Sequence, residues 1–527
     1  MWTQGTREAA WSRLAEGFDL IVVGGGITGA GIALEAARRQ LKVLLVEQRD
    51  FAWGTSSRSS KLVHGGLRYL KEGDFRLTRE SVLERQALLR EAPGLVEPQS
   101  FVFADYPGRK PGRAMLNLGL MLYDRIAGEH SRRYYRGSDV LLFAPHIRRN
   151  GLRGGSRYLD AKTDDARLVL RVLQEAAAHG ALLLNYASCV RLLRQGDRVV
   201  GAFIQDRETG QSTEVRARVV INATGVWADR LRGEVGGKPM LRPLRGSHLI
   251  FPLWRLPVAQ SVGFMHPQDG RPVFAYPWEG VALVGTTDLD HQGLEQEAAI
   301  TKQEVAYLLA ALDWQFPELK LGPHDVLSTY AGVRPIVSSG KADPSKEARD
   351  HVVMNEQGLL TVTGGKLTTF RLIALDALKH VQTLLPGWHT DLKPTPVFRR
   401  PMPDERLACL AEPARTRLGG RYGELAGELA GAADPSELEP IAHTDTLWAE
   451  LSWAARHEGV RHLDDLLLRR TRLGLIVKAG AQEYLPRIRR LVQPLLGWTD
   501  PQWEREEAAY QALIASHYSL PRGRDDQ

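Results

Sequence analysis

One stretch near the start of the chain constrains the fold more than any other. Asp19-Leu-Ile-Val-Val is a short, continuous apolar strand that breaks into Gly24-Gly25-Gly26, and the small-residue segment ITGAGIALEAARRQ that follows reads as a helix. Gly24, Gly26 and Gly29 occupy the three positions of G-x-G-x-x-G. The first permits a tight turn, the second lets the backbone approach a pyrophosphate, and the third allows close helix–strand packing. The helix N-terminus, beginning at Ile27 and Thr28, offers positive partial charge to phosphate. A second apolar strand, LKVLLVE, ends at Glu47, 21 residues beyond Gly26. A carboxylate there accepts hydrogen bonds from both ribose hydroxyls and disfavours a 2′-phosphate. A glycine turn alone is also compatible with a purely structural role, but strand, helix and acid in register predict a dinucleotide site.

Two further glycine turns extend this reading from NAD to FAD, a longer ligand needing several contact points. ARVVINATG is a strand ending at Ala223-Thr224-Gly225, and LLTVTGG ends at Gly364-Gly365 before KLTTFRLIALDALKHVQTLL. The turn Gly364-Gly365-Lys366-Leu367-Thr368 opens a helix, whose positive end suits the anionic edge of a reduced flavin.

Organisation follows from the changing periodicity. DDARLVLRVLQEAAAHG is helical and ALLLNYA is a strand, so the flanking regions alternate as in an α/β sheet built from separated pieces. GSHLIFPLW, RPVFAYP and VALVGTTD read instead as antiparallel strands joined by short turns, and residues 299–316 as an amphipathic helix. Beyond the Pro-rich LKPTPVFRRPMP the chain has helical periodicity. The expected division is an FAD-binding domain over 17–104, 159–245 and 330–389, a substrate-side region over 105–158 and 246–329, and a helical C-terminal domain over 390–527.

Composition removes several classes. A chain of 527 residues, 43% hydrophobic and 25% charged, is an ordinary globular sequence of roughly three or four structural units. Cys189 and Cys409 are its two cysteines, too few for a disulfide framework or a Cys-rich metal site, and they suit a reducing cytoplasm. The 15 histidines show no H-E-x-x-H spacing, and G-x-S-x-G is absent, so neither a metal nor an α/β-hydrolase nucleophile is expected. The opening residues lack the basic and apolar regions of a secretory signal, and no apolar run approaches the ~18 residues of a spanning helix. The net charge of +7 has no nucleic-acid module beside it, so nucleic acid is not an expected partner.

TSSRSSKLVHGGLRYL (55–70), DDARL (164–168), GSH (246–248), GTTD (285–288), YAGVRP (330–335) and TVTGGKLTTFR (361–371), in this order, resemble the FAD-dependent, membrane-associated glycerol-3-phosphate dehydrogenases. AELSWAARHEGVRHLDDLLLRRTRL (449–473) is similar to that family's helical C-terminal segment. The resemblance implies a Rossmann-like α/β FAD-binding domain of the glycine-oxidase-like kind with an inserted antiparallel-sheet substrate domain. It also implies oxidation of sn-glycerol 3-phosphate to dihydroxyacetone phosphate, electron delivery to membrane quinone, and a place on the inner face of the cell membrane. A homodimer is compatible with it. About 17 residues precede the first strand, more than is usual in bacterial members, and no long insertion of the kind found in oxygen-using relatives is seen.

Within these motifs, Thr55, Ser56, Ser57, Lys61, His64 and Gly65 join the glycine turns as expected FAD contacts. A small dianionic substrate needs several cations, and arginine's planar fork matches phosphate oxygens. Arg68, Arg334, Arg349 and Lys366 are the candidates, with Tyr69 as a further substrate contact. An isolated arginine is ordinarily a solvated surface charge, and position inside a motif is what sets these apart. Arg334 is expected to orient substrate and stabilise negative charge developing on oxygen, being always protonated. His248 is the candidate base, since an imidazole accepts a hydroxyl proton at neutral pH, although a hydrogen-bonded strand histidine fits the same pattern.

RKPGRAMLNLGLMLYDRIAGEHSRRYYR (109–136) sets arginines around an amphipathic apolar segment and is the candidate for contact with an anionic membrane surface; a core-facing helix is the competing reading. Two other functions remain open from residues alone. One is an oxygen-using oxidase of glycerol 3-phosphate or of an amino or hydroxy acid, and the other is a flavin-binding scaffold without turnover.

Overall fold

The structure, a computed structural model, describes residues 6–67, 73–109, 111–338, 350–399 and 404–521. Its first sheet has eight strands, with the main path His351–Glu356, Leu359–Gly364, Ser212–Asn222, Phe18–Val23, Val43–Val46 and Leu182–Leu184. Leu359–Gly364, Ser212–Asn222, Phe18–Val23, Val43–Val46 and Leu182–Leu184 run parallel to one another, so their carboxyl ends share one edge. Leu20 and Val22 face one apolar cluster and Ile21 and Val23 the other, which is why the run is continuously hydrophobic: both faces of the sheet are covered. The helices Ile27–Ala37, Asp165–Ala178 and Phe370–Leu384 contribute to the first cluster. Small residues in Ile27–Ala37 let its neighbours approach: a Cβ at Gly31 would lie 2.9 Å from the Phe370 ring.

The second sheet has ten strands. Toward one edge of it, Leu241–Pro252 pairs antiparallel with Val281–Gly285 on one side and with Ser328–Val337 along a register from Leu241↔Val337 to Ile250↔Ser328. The expected helix is Lys302–Gln315, started by a capping box between Thr301 and Glu304. This sheet reaches further along the chain than the periodicity implied. Val96–Asp105 lies, but for its last residue, within the residues assigned to the FAD-binding side, yet it pairs with Ser261–Gly263 and with Gly154–Thr163 in the second sheet. Ser328–Val337 likewise crosses the division drawn at 330. Strand character is local, whereas the choice of partner is made by contacts far apart in sequence.

The C-terminal part is helical, with Glu412–Tyr422, Trp448–His457, Leu485–Leu496 and Asp500–His517 among its longer elements. It is no loose appendage. Leu466, Leu467, Ile476 and Trp503 share one buried cluster with Ile250, Tyr276, Trp278 and Tyr330 of the second sheet. Buried charges also pair the C-terminal part with segments around the first sheet: Arg167 Nη2 meets Glu458 Oε2 at 2.8 Å, Arg421 Nη2 meets Asp164 Oδ2 at 2.9 Å, and Arg470 Nη2 meets Asp50 Oδ1 at 2.8 Å. Charges so far from water persist only with such partners.

Candidate functional site

The three glycine turns converge at the carboxyl edge of the parallel sheet, where ligands of open α/β folds bind. Gly24 has φ 117°, and a Cβ there would lie 2.5 Å from the Ala223 carbonyl oxygen, so the first and second turns touch through a position that only glycine fills. A Cβ at Gly29 would overlap the carbonyl of Gly24, which fixes the helix tightly against the turn. Glu47 closes the neighbouring strand; its Oε2 accepts from the Gly25 amide at 2.8 Å and its Oε1 from the Arg49 amide at 2.9 Å. Burial raises its carboxyl above the usual range, opposed by those two amides. Thr224 Oγ1 donates to Asn222 Oδ1 at 2.7 Å, and Thr363 Oγ1 donates to the Gly225 carbonyl at 3.2 Å, tying the second turn to the strand that carries Gly364 and Gly365. Leu367 and Thr368 then begin the short helical turn before Phe370–Leu384.

The segment 55–65 lies across this edge. Ser56 Oγ accepts from the Ile27 amide at 3.0 Å, so it caps the helix that also carries Thr28, and Thr55 Oγ1 donates to the Val333 carbonyl. Ser57 is buried, and its carbonyl accepts from Lys61 Nζ at 2.9 Å and from Arg472 Nη2 at 2.8 Å. Lys61 also donates to Asp165 Oδ1 at 3.0 Å, and its ammonium sits 4.6 Å from the centre of the Tyr330 ring. Burial, then Arg472, push this ammonium down to about 8, against the pull of Asp165. Lys61 therefore holds the segment from behind. His64 and Thr368 are joined: the His64 amide donates to Thr368 Oγ1 at 3.2 Å. Gly65 donates to Asp160 Oδ1 at 3.0 Å, and a Cβ on it would overlap the Tyr123 hydroxyl. Lys366 Nζ donates to Ser81 Oγ.

Arg334 and His248 come together on the second sheet. Leu244 faces Arg334 and His248 faces Tyr330 in the register of the two long strands. Arg334 Nη1 meets Asp288 Oδ1 at 2.9 Å, and its Nη2 donates to Thr286 Oγ1 at 3.1 Å. His248 is 1% exposed, stacks on Tyr330 with centroids 4.6 Å apart, and shares a 2.9 Å hydrogen bond between Nε2 and Ser60 Oγ. Its Nδ1 is buried with no hydrogen-bond partner among the described residues. Burial holds the imidazole well below its ordinary range, reinforced by Arg334 and then Lys61. It is a neutral ring beside a permanent cation. Of the other candidates, Arg68, Tyr69 and Arg349 lie outside the described residues.

Several participants were not singled out from sequence. Asp165 gathers the Ser59 amide at 3.0 Å, Lys61 at 3.0 Å and Arg472 at 2.7 Å; its place in DDARL was a signal without a role. Asp288, the last residue of GTTD, meets Arg334, while Tyr518 reaches Arg58 Nη2 at 3.0 Å from the end of the last helix, where nothing local marks it. No group of His, Cys, Asp and Glu suited to a metal ion occurs among the described residues.

The chain is similar to known proteins along most of its length. A model of FAD dependent oxidoreductases matches residues 19–371, and a model of the C-terminal domain of alpha-glycerophosphate oxidase matches residues 405–503. Glycerol-3-phosphate dehydrogenase 2 of Mycobacterium tuberculosis is 37% identical, over 99% of this chain and 92% of its own. The chain belongs to the glycerol-3-phosphate dehydrogenase family of FAD-dependent oxidoreductases. Another member, the aerobic glycerol-3-phosphate dehydrogenase of Staphylococcus aureus, is 34% identical over 86% of each chain. The family's glycerol-3-phosphate dehydrogenase from Bacillus halodurans, solved in complex with FAD, superposes with a TM-score of 0.79 at 28% identity over 100% of both chains. Glycine oxidase from Geobacillus kaustophilus shares the fold, with a TM-score of 0.53 over 71% of this chain and 96% of its own at 21% identity. FAD is the cofactor of this family, and the glycine cradle at Gly24, Gly26 and Gly29 and the Glu47 carboxylate at the end of the next strand suit its pyrophosphate and ribose.

Proposed function

We propose that this flavoenzyme oxidises sn-glycerol 3-phosphate to dihydroxyacetone phosphate and passes the electrons to membrane quinone. The observation that carries the reading is the pairing of a fixed cation, Arg334, with a buried neutral imidazole, His248, beside the segment that crosses the flavin edge. Gly24, Gly26, Ile27, Thr28, Gly29 and Glu47 hold the adenosine diphosphate half of FAD, and the turns at 223–225 and 364–368, with Thr55, Ser56 and His64, surround the rest. Bound FAD supplies the acceptor for the hydride that leaves substrate C2. Arg68, Tyr69, Arg349 and Lys366 bind the phosphate, a dianion that calls for several cations. Arg334 orients the substrate and offsets charge growing on the C2 oxygen. His248 accepts the hydroxyl proton at Nδ1, the nitrogen that Ser60 leaves unengaged.

Membrane contact is assigned to the helix Arg113–Ala127. Leu116, Leu120 and Tyr123 are buried on one side, while Met115, Leu118 and Met121 are 70%, 55% and 41% exposed on the other. Both readings of this segment thus have support: one face is core, and the second is an apolar stripe with Arg113 and Arg125 in the same helix, suited to a lipid interface. No helix among the described residues is long and apolar enough to cross a membrane.

Anaerobic mixing with glycerol 3-phosphate tests the chemistry: bleaching of the bound flavin is expected, and a flavin that stays oxidised refutes the reading and leaves a scaffold. The C-terminal match to an oxidase domain supports a second acceptor, oxygen. Stoichiometric hydrogen peroxide without reduction of a quinone analogue would select it. Flotation with anionic liposomes at low salt tests attachment; failure to float removes both the helix and quinone delivery.

A further inference from the structure

The GTTD segment ends in a buried carboxylate, Asp288. Asp288 is only 2% exposed at its side chain, and it stands between two guanidinium groups. Its Oδ1 meets Arg334 Nη1 at 2.9 Å and its Oδ2 meets Arg271 Nη2 at 3.1 Å, while Arg271 Nη1 also donates to the Asp288 carbonyl at 3.2 Å. We infer that Asp288 is a positioning residue, which locks the Arg334 guanidinium in the orientation that meets the substrate oxygen.

Three physical points carry this. An arginine side chain has many rotamers to lose, so a cation that must face a nascent alkoxide gains by being fixed beforehand. Arg334 is gripped at both terminal nitrogens, by Asp288 at Nη1 and by Thr286 Oγ1 at Nη2, and it lies against Gly246, where any Cβ would overlap Nη2. The position is therefore defined from two sides, and the GTTD turn supplies one of them.

The second point concerns charge. A lone Arg334–Asp288 pair is neutral and offers little field to an oxyanion. Arg271 shares the same carboxylate, so two guanidinium groups face the one acid. Asp288 can orient Arg334 without cancelling it because Arg271 supplies the balance.

The third point is what lies around the triad. The nearby Arg242 is bound by Asp290, Nε to Oδ1 at 2.6 Å, and Arg245 by Glu304 at 3.0 Å, so each of these cations has its own acid and Asp288 serves Arg271 and Arg334. Glu304 in turn accepts from Ser247 Oγ at 2.8 Å and Thr287 Oγ1 at 2.7 Å, which fixes the strand and the turn to each other on either side of Asp288's neighbour.

This inference rests on the proposed role of Arg334, and the test separates the two. Asp288→Asn, Arg334→Ala and the double variant are loaded with FAD and reduced anaerobically by glycerol 3-phosphate, with rates expressed per bound flavin. Asp288→Asn is expected to slow flavin reduction per bound flavin about 10- to 100-fold with FAD content near wild type, and Asp288→Glu to recover part of the rate. In the Arg334→Ala background Asp288→Asn should add nothing, since it acts through that side chain. Wild-type reduction by Asp288→Asn, losses that multiply in the double variant, or a fall in folding alone with a normal rate per flavin each overturn the inference. If Arg334→Ala itself reduces normally, the proposed role of Arg334 falls and this inference with it; if Arg334→Ala is slow and Asp288→Asn is not, only this inference falls.

Discussion

Gly246 and Arg334 occupy one space: a Cβ on Gly246 would overlap the Arg334 guanidinium, and 2.7 Å would separate it from Thr286 Oγ1 as well. The glycine of GSH is thus a seat for a cation on the neighbouring strand. Gly246→Ala is expected to displace Arg334 and slow flavin reduction at least 10-fold while FAD stays bound. Stopped-flow reduction together with flavin content checks this, and an unchanged rate would show that the seat is not needed.

His248→Ala should slow reduction by about 10²–10⁴-fold, the usual contribution of general-base catalysis. Because burial and then Arg334 lower its protonation range, the ring is already neutral at pH 6.5 and above. Any acid limb belonging to His248 therefore falls below pH 6.5, and the rate of reduction should be flat from there to neutrality. A wild-type rate in the variant removes the base assignment.

Arg167 and Glu458 are both 0% exposed and join the helix after the second-sheet strand Gly154–Thr163 to the C-terminal helices. Removing one member leaves the other charge buried alone, so Glu458→Ala should cost about 3–5 kcal/mol of stability. Denaturant midpoints of wild type and variant decide it, and a loss below about 1 kcal/mol contradicts a dry, essential pair.

His462 lies between Glu208, at 3.3 Å from Nε2, and Glu506, at 3.0 Å from Nδ1. Burial pushes its imidazole down, but the hydrogen bonds to the two carboxylates and the charge of Asp465 outweigh that and lift it to about 11. An unfolded histidine titrates near ~6.5, so between there and about 11 the folded protein holds one proton more than the unfolded chain. The stabilisation is full below pH 6.5 and is lost as pH rises toward 11. Wild type should lose stability between pH 7 and pH 10 more steeply than His462→Gln, and parallel profiles would exclude the coupling.

The sequence by itself determined the first βαβ unit and the FAD cofactor, because apolar runs, glycine turns and an acid at the strand end are local, and a local pattern keeps its meaning wherever the chain goes. It also marked Arg334 and His248, through the motifs around them. Which strands join a sheet was another matter: Val96–Asp105 has strand character but no feature that names Ser261–Gly263 as its partner. Tertiary structure alone decided that Asp288 sits between Arg271 and Arg334, that Gly246 is a seat, and that Arg472 and Tyr518 reach from the C-terminal helices to the 57–58 carbonyl and side chain. Those relationships depend on where buried charges find partners across tens or hundreds of residues. Burial makes an unpaired charge so costly that the fold must provide one, yet nothing near the charge in sequence says which it will be.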